Sequence, residues 1–280
     1  MKTQNALALI LAASGWSVAA AESAGSDEQA PLELPGETHL ANIQQLSFGG
    51  QNAEAYFSFD GDELIFQSTR GDRQCDAIYR MDVDGENLRQ VSSGEGATTC
   101  AFIAPDDEAI IYASTHLGGP ECPPKPDMSQ GYVWPLYESY DIFRAAPDGS
   151  DLVRLTDAPG YDAEAVYSPQ GDKVVFTSVR SGDLELFLMN PDGSGVEQLT
   201  DTPGYDGGAF FSRDGKSIVW RASRPTGDAL ADYQALLKEG LVRPSKLEIF
   251  IMNLEDRTPI HLARLMKDVV GGFLPPPGFE

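Results

Sequence analysis

An internal repeat in the second half of the chain constrains the fold more than any other feature. The segment Arg154–Asp162 reads RLTDAPGYD, and Gln198–Asp206, 44 positions later, reads QLTDTPGYD. The same offset aligns Ala165–Phe176 with Ala209–Trp220 without a gap. Such a period predicts a repeat architecture, in which each unit buries its apolar faces only against stacked neighbours.

Each repeat carries the same strand and turn landmarks. An apolar stretch ends in Ser-x-Asp-Gly, as at Ser58–Gly61, and a β-rich run follows it. A second apolar run then ends in an Asp-Gly turn, as in Leu186–Gly193. Asp-Gly between alternating apolar runs predicts a hairpin, because glycine takes the positive φ that the turn requires. Each unit therefore supplies four short strands, which is typical of a β-propeller blade.

We predict an all-β chain that folds as a β-propeller of four-stranded blades. The propeller region is expected at residues 43–265, followed by an irregular tail at residues 266–280. About four blades are visible, and we place them at residues 53–92, 98–156, 163–200 and 207–265.

Two of these blades contain insertions between their second and third strands, His116–Ser139 and Ala222–Lys246. The second insertion predicts one short helix over Asp228–Gly240. Asp228 is expected to be its N-cap, the terminal glycine ends it, and Leu230, Tyr233 and Leu237 share one face.

The N-terminus has the pattern of a secretory signal. Lys2 precedes an apolar run, Ala6–Ala13, and small residues follow at Ser17–Ala21. The run is too short to span a bilayer, so we predict a signal peptide over residues 1–21, cleaved after Ala20 or Ala21. The alternative is a mobile N-terminal tail. Residues 22–42 are expected to form a flexible leader, and the mature protein is expected to be periplasmic or secreted and not membrane-spanning.

Charge narrows the range of partners. The 280 residues carry a net charge of -23, and 41% of them are hydrophobic, which suffices for a folded core. A strongly negative chain repels nucleic acid and anionic lipid at long range, so we expect no nucleic-acid partner. Cationic and neutral partners remain open.

The repeated pattern Leu-Thr-Asp-x-Pro-Gly-Tyr-Asp, followed by Ser-x-x-Gly and Met-Asn-Pro-Asp-Gly-Ser, resembles the WD40-like (PD40) repeat of the TolB-type propellers. The resemblance covers residues 43 to about 262. It implies a periplasmic propeller, usually of six blades, that contacts outer-membrane partners. TolB carries an α/β domain before its propeller, whereas here we expect the first strand within about 20 residues of the predicted cleavage site.

Ring closure is a second departure from that family. Ile43–Ser47 aligns with the outer strands of later blades, yet the last blade has an outer strand of its own at Pro259–Ala263. The chain is thus about two blades short of six. We expect a truncated array or an open arc with unusual ends.

Loops after the second strand and before the first strand of each blade share one face, which we predict to be the functional face. Four carboxylates are expected near the channel mouth there: Glu54, Asp162, Glu164 and Asp206. Arg70, Arg180 and Arg224 are expected to face them. The groups could form a site for a cation or polar ligand. We favour Arg–carboxylate pairs that join blade to blade.

Tyr161 and Tyr205 are the strongest candidate binding anchors on this face, because tyrosine offers a large rigid contact area with a polar tip. In the alternative interpretation both rings pack between blades. Truncation to alanine would then lower stability, as core deletions do.

The three cysteines are expected to share this face. Cys75, Cys100 and Cys122 allow three connectivities of one disulfide and one free thiol, and three buried free thiols are the alternative. A Cys100–Cys122 bond would fix the insertion across its own blade, and a Cys75–Cys100 bond would join adjacent blades.

Signatures of catalysis are missing from the sequence. His39, His116 and His261 share no metal-ligand spacing, and there is no Gly-x-Ser-x-Gly elbow or phosphate loop. We therefore predict no catalytic residues, no metal site and no cofactor. The chain is interpreted as a monomeric, periplasmic TolB-like module that binds an envelope protein or a small polar ligand. The alternative is the propeller part of a larger glycan- or peptide-processing enzyme.

Overall fold

A computed structural model describes Leu32 and residues 36–129 and 131–262 of the chain. The predicted signal peptide and the predicted tail at residues 266–280 lie outside the described residues. The chain divides into two compact units, residues 1–45 and residues 46–280, and the strands and helices of the described residues belong to the second.

The second unit contains four antiparallel four-stranded sheets, each running outward in chain order. Blade 1 consists of β1 (Gln51–Phe57), β2 (Glu63–Thr69), β3 (Ala77–Asp82) and β4 (Arg89–Gln90). Blade 2 consists of β5 (Thr98–Ile103), β6 (Ile110–Ser114), β8 (Asp141–Ala145) and β9 (Val153–Arg154), with a 3₁₀ turn (His116–Gly118) and β7 (Trp134–Pro135) in its insertion.

The last two blades follow the same plan. Blade 3 consists of β10 (Asp162–Tyr167), β11 (Val174–Ser178), β12 (Glu185–Met189) and β13 (Glu197–Gln198). Blade 4 consists of β14 (Asp206–Phe211), β15 (Ser217–Ala222), β17 (Glu248–Asn253) and β18 (Pro259–His261), with helix α1 (Asp228–Lys238) and β16 (Leu241–Val242) in its insertion. The predicted all-β propeller with four visible blades and one helix is confirmed.

Apolar side chains fill the spaces between consecutive blades. Ile65 and Ile78 of blade 1 pack with Ile103 of blade 2 in one cluster, and Phe176 of blade 3 packs with Ile111 of blade 2 in another. These side chains are at most 2% exposed. Because such contacts form only between neighbours, the blades stabilise one another rather than folding singly.

The Asp-Gly hairpins between the third and fourth strands of blades 2 and 3 pack tightly on the preceding blade. A Cβ atom on Gly149 would lie 2.1 Å from the carbonyl oxygen of Val91, and one on Gly193 would lie 2.5 Å from that of Leu155. Both glycines also have positive φ. Glycine is therefore needed here for its small size as well as for the turn conformation.

The hairpin of blade 1 meets the start of the propeller region in the same way. A Cβ atom on Gly85 would lie 3.3 Å from the carbonyl oxygen of Leu46, which also packs on the apolar cluster of blade 1. Leu46 thus takes the place that Val91 and Leu155 take elsewhere, as the predicted alignment of Ile43–Ser47 with the outer strands implies. No strand is assigned within this described segment.

The first and last blades each present a face that no other blade covers within the described chain. The inner strand β1 is mostly exposed, and the Phe57 side chain is 62% exposed, whereas the corresponding Tyr167 in β10 is 3% exposed. At the other end, Ile249 in β17 is 39% exposed.

The two insertions meet above the blades. Strands β7 and β16 pair through Val242 opposite Trp134 and Leu241 opposite Pro135. Helix α1 lies beside this ribbon, and its Tyr233 packs in an apolar cluster with Leu184 of the β11–β12 loop.

The predicted N-cap of this helix is wrong. Gly227 occupies the cap position at φ 58, no side chain caps the helix, and Asp228 is the first helical residue. There its carboxylate complements the positive end of the helix dipole instead of accepting a capping hydrogen bond. Leu230, Tyr233 and Leu237 do share one apolar cluster.

A disulfide joins the first insertion to the neighbouring blade. Cys75, in the β2–β3 loop, is bonded to Cys122, and their Cα atoms are 5.7 Å apart. Cys100, the third candidate, is a free thiol. The bond fixes one end of the structure that lies above the channel.

Candidate functional site

The inner strands of all four blades share a β-bulge that faces the central channel. The strand register shifts at the same position in each sheet. One residue in each bulge has positive φ: Glu54, Cys100, Glu164 and Gly208. A left-handed conformation costs a non-glycine residue on the order of 1 kcal/mol, and a bulge redirects its side chain. We call these four residues the bulge ring.

A cavity of about 450 Å³, here called the roofed cavity, lies between the bulge ring and the paired insertions. Trp134, Pro135 and Leu136 of the first insertion and Val242 of the second form its roof. Its aromatic lining comprises Tyr132, Trp134, Tyr137, Tyr140, Tyr161 and Tyr205. Its charged lining comprises Glu54, Asp76, Glu164 and Arg221.

A second cavity of about 330 Å³, the lower cavity, lies on the other side of the bulge ring. It is mostly apolar, and Tyr56, Phe210 and Trp220 are among its lining residues. The rings of Tyr56 and Phe210 meet across the channel with centroids 5.4 Å apart. The polar chemistry of the channel is thus concentrated at the bulge ring and above it.

Glu164 is held by four donors. Its carboxylate accepts hydrogen bonds from the Thr177 hydroxyl at 2.7 Å, the Gly208 amide at 2.9 Å and the Arg221 guanidinium at 2.9 Å. The Tyr205 hydroxyl donates a fourth at 3.3 Å. A carboxylate held by this many donors is fixed in place.

Arg221 links blade 4 to blade 3 through this carboxylate. Its guanidinium lies 5.5 Å from the centre of the Trp134 ring, in cation–π geometry. The side chain fits because a Cβ atom on Gly208 would lie 2.7 Å from its Nε and Nη2 atoms. The Nε atom is buried and has no hydrogen-bond partner among the described residues.

Glu54 is held differently. Its carboxylate accepts a hydrogen bond from the Tyr56 hydroxyl, and no cationic side chain of the described chain forms an ion pair with it. Burial raises the pKa of Tyr56, and the hydrogen bond to Glu54 raises it further, so the phenol remains a donor. Glu54 therefore lies beside the cavity without an ion-pair partner among the described residues.

Asp76 has similar surroundings on the cavity wall. The Thr69 hydroxyl and the Gln67 amide, the latter at 2.8 Å, donate hydrogen bonds to its two oxygens. Gln67 in turn accepts a hydrogen bond from the Cys100 amide at 3.0 Å. Neutral donors position this carboxylate without cancelling its charge.

Tyr140 and Tyr161 both line the roofed cavity, and neither hydroxyl has a hydrogen-bond partner among the described residues. Tyr140 is only 7% exposed, and the two rings pack edge to face with centroids 5.7 Å apart. Burial raises the pKa of both phenols. These two hydroxyls are therefore available to a polar guest or to water in the cavity.

Cys100 completes the bulge ring as an unreactive group. Burial raises the pKa of its thiol, and the carboxylates of Glu164 and Glu54 raise it further. The Thr99 hydroxyl lies 3.1 Å from the sulfur. A thiol with a raised pKa is protonated at neutral pH and is a poor nucleophile.

Four of the nine residues expected on the functional face line the roofed cavity: Glu54, Tyr161, Glu164 and Tyr205. Each ring also packs against other aromatic residues: Tyr205 lies 5.8 Å from Trp134, and Tyr161 packs on Tyr140. Both tyrosines therefore belong to the packing and to the cavity wall at once.

The other candidates form pairs outside the cavity. Arg180 binds Asp162 at 2.8 Å and Arg224 binds Asp206 at 2.7 Å. Both pairs lie within one blade, so the expectation that they join blade to blade is wrong. The loop after the second strand turns each arginine back over its own inner strand.

Arg70 also bonds within its own blade. Its guanidinium donates to Asn52 at 2.9 Å and to Ser68 at 3.0 Å. Asn52 stands where the corresponding strands of blades 3 and 4 have the carboxylates of Asp162 and Asp206.

Arg221, Asp76, Tyr140 and Trp134 are cavity residues that the sequence analysis did not select. For Arg221 a signal exists in the repeat. It aligns with Thr177 of the previous unit, and Gly208 aligns with Glu164. A glycine opposite a carboxylate and an arginine opposite a threonine, at a period of 44, mark one interacting pair.

Other classes of site find no support within the described residues. In that part of the chain no group of three or more His, Cys, Asp or Glu side chains could hold a metal ion. No helix described here is long and apolar enough to cross a membrane.

Comparison with solved structures shows which propellers this fold is similar to. A putative TolB from Agrobacterium tumefaciens superposes with a TM-score of 0.54 at 19% identity, over 75% of this chain and 64% of that chain. TolB from Acinetobacter baumannii gives 0.53 at 19% identity, over 76% of this chain and 43% of that chain. The fold is that of a TolB-like β-propeller.

Two further comparisons show similarity in fold or in part of the sequence and do not indicate a function. A puromycin-hydrolyzing peptidase of Mycobacterium tuberculosis superposes on the TolB-like propeller with a TM-score of 0.50 at 12% identity, over 76% of this chain and 31% of the peptidase. An uncharacterized protein of Agrobacterium fabrum is 32% identical over 122 residues, which are 44% of this chain and 34% of that protein. The chain thus spans about a third of this curated relative. No family model matches the sequence.

Proposed function

We propose that this TolB-like propeller is a non-catalytic binding module of the bacterial cell envelope, and that it takes a small polar ligand into the roofed cavity. The observation that carries the proposal is the roofed cavity itself. It combines a volume of about 450 Å³, an aromatic lining and a few fixed polar groups. That combination is typical of small-molecule sites, in which a concave, largely preformed pocket holds a few precisely placed polar groups.

The hydrogen bonding and protonation of the polar groups support ligand binding rather than catalysis. Glu164 is committed to four donors, and burial keeps the Cys100 thiol protonated. A general base or nucleophile needs an available lone pair and a partner poised to accept or donate a proton. The groups of the bulge ring instead resemble the rigid, pre-bonded side chains that orient a guest.

The roof argues for a small ligand over a folded protein as the occupant of the cavity. Strands β7 and β16 pair across it, and Cys75–Cys122 ties the first insertion to blade 1. An envelope protein would have to contact the outside of this roof. The alternative of a larger glycan- or peptide-processing enzyme would place the reacting groups in a part of the protein beyond this chain.

Export is part of the proposal and rests on the N-terminal sequence pattern. Protein recovered from the cell envelope should begin near Ala21 or Glu22 on N-terminal sequencing. Recovery of chains with an intact Met1 from the cytosol would remove the envelope from the proposed function.

A cavity-filling variant tests the binding role. Ala53 lines the roofed cavity, whereas Ala55, two residues along the same strand, does not line it, and both are exposed. Ala53→Phe should therefore fill the cavity, and Ala55→Phe is the matched control. Chains purified from the periplasm are passed over a desalting column under native conditions, denatured, and examined by mass spectrometry for released small molecules.

We expect the wild type and Ala55→Phe to retain the same small molecule and Ala53→Phe to lose it. Circular dichroism confirms that all three chains are folded. Equal retention by the three chains, or retention by none, would contradict a ligand site in this cavity.

A further inference from the structure

The charges around the roofed cavity are unbalanced. Glu54, Asp76 and Glu164 line it, against a single guanidinium, that of Arg221. Glu164 and Arg221 neutralise each other at 2.9 Å. Glu54 and Asp76 are left without a cationic partner among the described residues, although hydroxyl and amide donors hold both in place.

A carboxylate without an ion-pair partner on a cavity wall selects its guest by charge. Closing a neutral or anionic molecule over Glu54 would strip water from the carboxylate without supplying a counter-charge. A cation supplies that counter-charge and forms a charge-assisted hydrogen bond with the free carboxylate oxygen. The net charge of -23 also raises the local concentration of cations around the whole chain.

The aromatic lining points to an organic cation rather than a metal ion. Trp134, Tyr137, Tyr140 and Tyr161 surround the space beside the carboxylates. Aromatic faces attract ammonium groups, and they also bury the carbon atoms attached to them. A bare divalent ion would instead require several oxygen ligands converging on one point, and no such group exists in the described chain.

Tyr140 gives a second, independent indication of a guest. The residue is 7% exposed and lines the cavity, and its hydroxyl has no hydrogen-bond partner among the described residues. A phenol oxygen has lone pairs as well as a proton, so it can accept a hydrogen bond from an ammonium group.

From these contacts we infer that the roofed cavity binds a small organic cation, a primary or quaternary ammonium compound, with its charged group between Glu54, Asp76 and the surrounding aromatic rings. The inference rests on the proposed function, since it names the class of ligand for the same cavity. Glu54 supplies the ion pair, and Tyr140 and Trp134 supply the aromatic wall.

Isothermal titration calorimetry of the purified chain tests the inference directly. The probes are 1,4-diaminobutane and tetramethylammonium as cations, glucose as a neutral polyol and acetate as an anion, each titrated to on the order of 10 mM. Trp134 and Trp220 line the two cavities, so tryptophan fluorescence gives a second readout of occupancy.

Glu54→Gln and Glu86→Gln form the matched pair of variants. Each removes one negative charge from the chain, so long-range attraction of cations falls equally in both. Glu86 is an exposed residue of the β3–β4 hairpin, on the opposite face of the blades. We expect Glu54→Gln to weaken binding of the cations about tenfold or more, and Glu86→Gln to leave it within about twofold of the wild type.

Each outcome bears on the inference. Cation binding that Glu54→Gln weakens and Ala53→Phe abolishes supports it. Glucose or acetate binding that Ala53→Phe abolishes, without cation binding, would overturn the cation and leave the binding module in place. Cation binding that Glu54→Gln leaves unchanged would overturn the site. Failure of every probe to bind, together with no molecule retained from the periplasm, would remove both proposals.

Discussion

At the scale of single residues, the interior carboxylates of this propeller differ in how completely they are hydrogen-bonded. Glu164 is fully bonded and joins two blades, whereas Glu185 in β12 is only 2% exposed and its Oε2 atom has no hydrogen-bond partner among the described residues. Burial raises the pKa of Glu185 to about 8. The Thr200 hydrogen bond opposes the shift, and the carboxylates of Asp206 and Asp183 add to it.

This shift predicts a pH dependence of stability. An unfolded chain releases the Glu185 proton near the ordinary pKa of 4.5, whereas the folded chain keeps it to about 8. Between these values the folded state holds more protons, so the free energy of unfolding falls as pH rises. Glu185→Gln removes this loss.

Urea denaturation at about pH 5 and about pH 8 measures the effect. The stability of Glu185→Gln relative to the wild type should rise by on the order of 2–4 kcal/mol between the two conditions. Glu86→Gln, on the surface, should show no such rise. Parallel pH profiles for Glu185→Gln and the wild type would mean that Glu185 is ionised in the folded chain.

The two cavity tyrosines provide a second test at this scale. The Tyr205 hydroxyl bonds to Glu164 and Arg221, and the Tyr161 hydroxyl has no partner among the described residues. Tyr205→Phe should therefore lower the free energy of unfolding by about 0.5–1.5 kcal/mol and Tyr161→Phe should leave it unchanged. Tyr205→Ala should lower it by about 3–5 kcal/mol, because a buried ring is deleted.

Chemical denaturation of the three variants measures these differences. Equal losses for Tyr161→Phe and Tyr205→Phe would show that the Glu164 network contributes nothing to stability. The result would also decide between packing and binding as the main role of Tyr205, when it is read beside ligand titrations of the same variants.

At the scale of elements, the Asp-Gly hairpins differ in whether they contact a neighbouring blade. Gly61 and Gly149 have nearly the same φ, 85° and 89°. A Cβ atom on Gly61 meets nothing within 4 Å, whereas one on Gly149 would lie 2.1 Å from the Val91 carbonyl oxygen. Comparing substitutions at these two glycines therefore distinguishes the cost of positive φ from the cost of disturbing the contact between blades.

We predict that Gly61→Ala lowers the free energy of unfolding by about 1 kcal/mol, from positive φ alone. Gly149→Ala should lower it by at least about 2 kcal/mol more, because overpacking forces the hairpin off blade 1. Thermal and urea melts of the two variants give the comparison. Equal losses would show that the hairpin can move away from Val91 without consequence.

The strands, hairpins and helix could be predicted from the sequence, but the helix cap and the pairing of the insertions could not. Strands, hairpins and the helix follow from local patterns, because periodic apolar residues and Asp-Gly turns act within a few residues of themselves. The helix cap was missed because Gly227, with positive φ, ends the loop one residue before Asp228. Strands β7 and β16 lie in the two insertions, far apart in the sequence and outside the repeated pattern. No periodic signal in the sequence therefore predicts that they pair.

The same limit applies to the site. Glu164, Tyr161 and Tyr205 could be selected from the repeat, and the carboxylate of Glu54 was expected near the channel mouth. Their convergence in the roofed cavity depends on bulges and on a roof, which are properties of the assembled sheets. Arg221 belongs to the site only because Gly208 leaves space for it.

At the scale of the whole molecule, four blades and two insertions are held together in different ways. Apolar clusters join consecutive blades, and one covalent bond, Cys75–Cys122, joins blade 1 to the first insertion. The uncovered faces at β1 and β17 lack the packing that stabilises the other blades. A cross-link near one end therefore matters more than it would in an evenly packed fold.

The last prediction concerns this cross-link. The bond closes a loop with a sequence separation of 47 residues, so Cys75→Ser and Cys122→Ser should each lower the free energy of unfolding by about 2–4 kcal/mol. Mass mapping of non-reduced protein from the periplasm should find Cys75 linked to Cys122 and Cys100 free. Adding a reductant should destabilise the wild type and leave Cys75→Ser unaffected. A Cys100–Cys122 link, or three free thiols in exported protein, would contradict the prediction and leave the roof over the cavity without its covalent anchor.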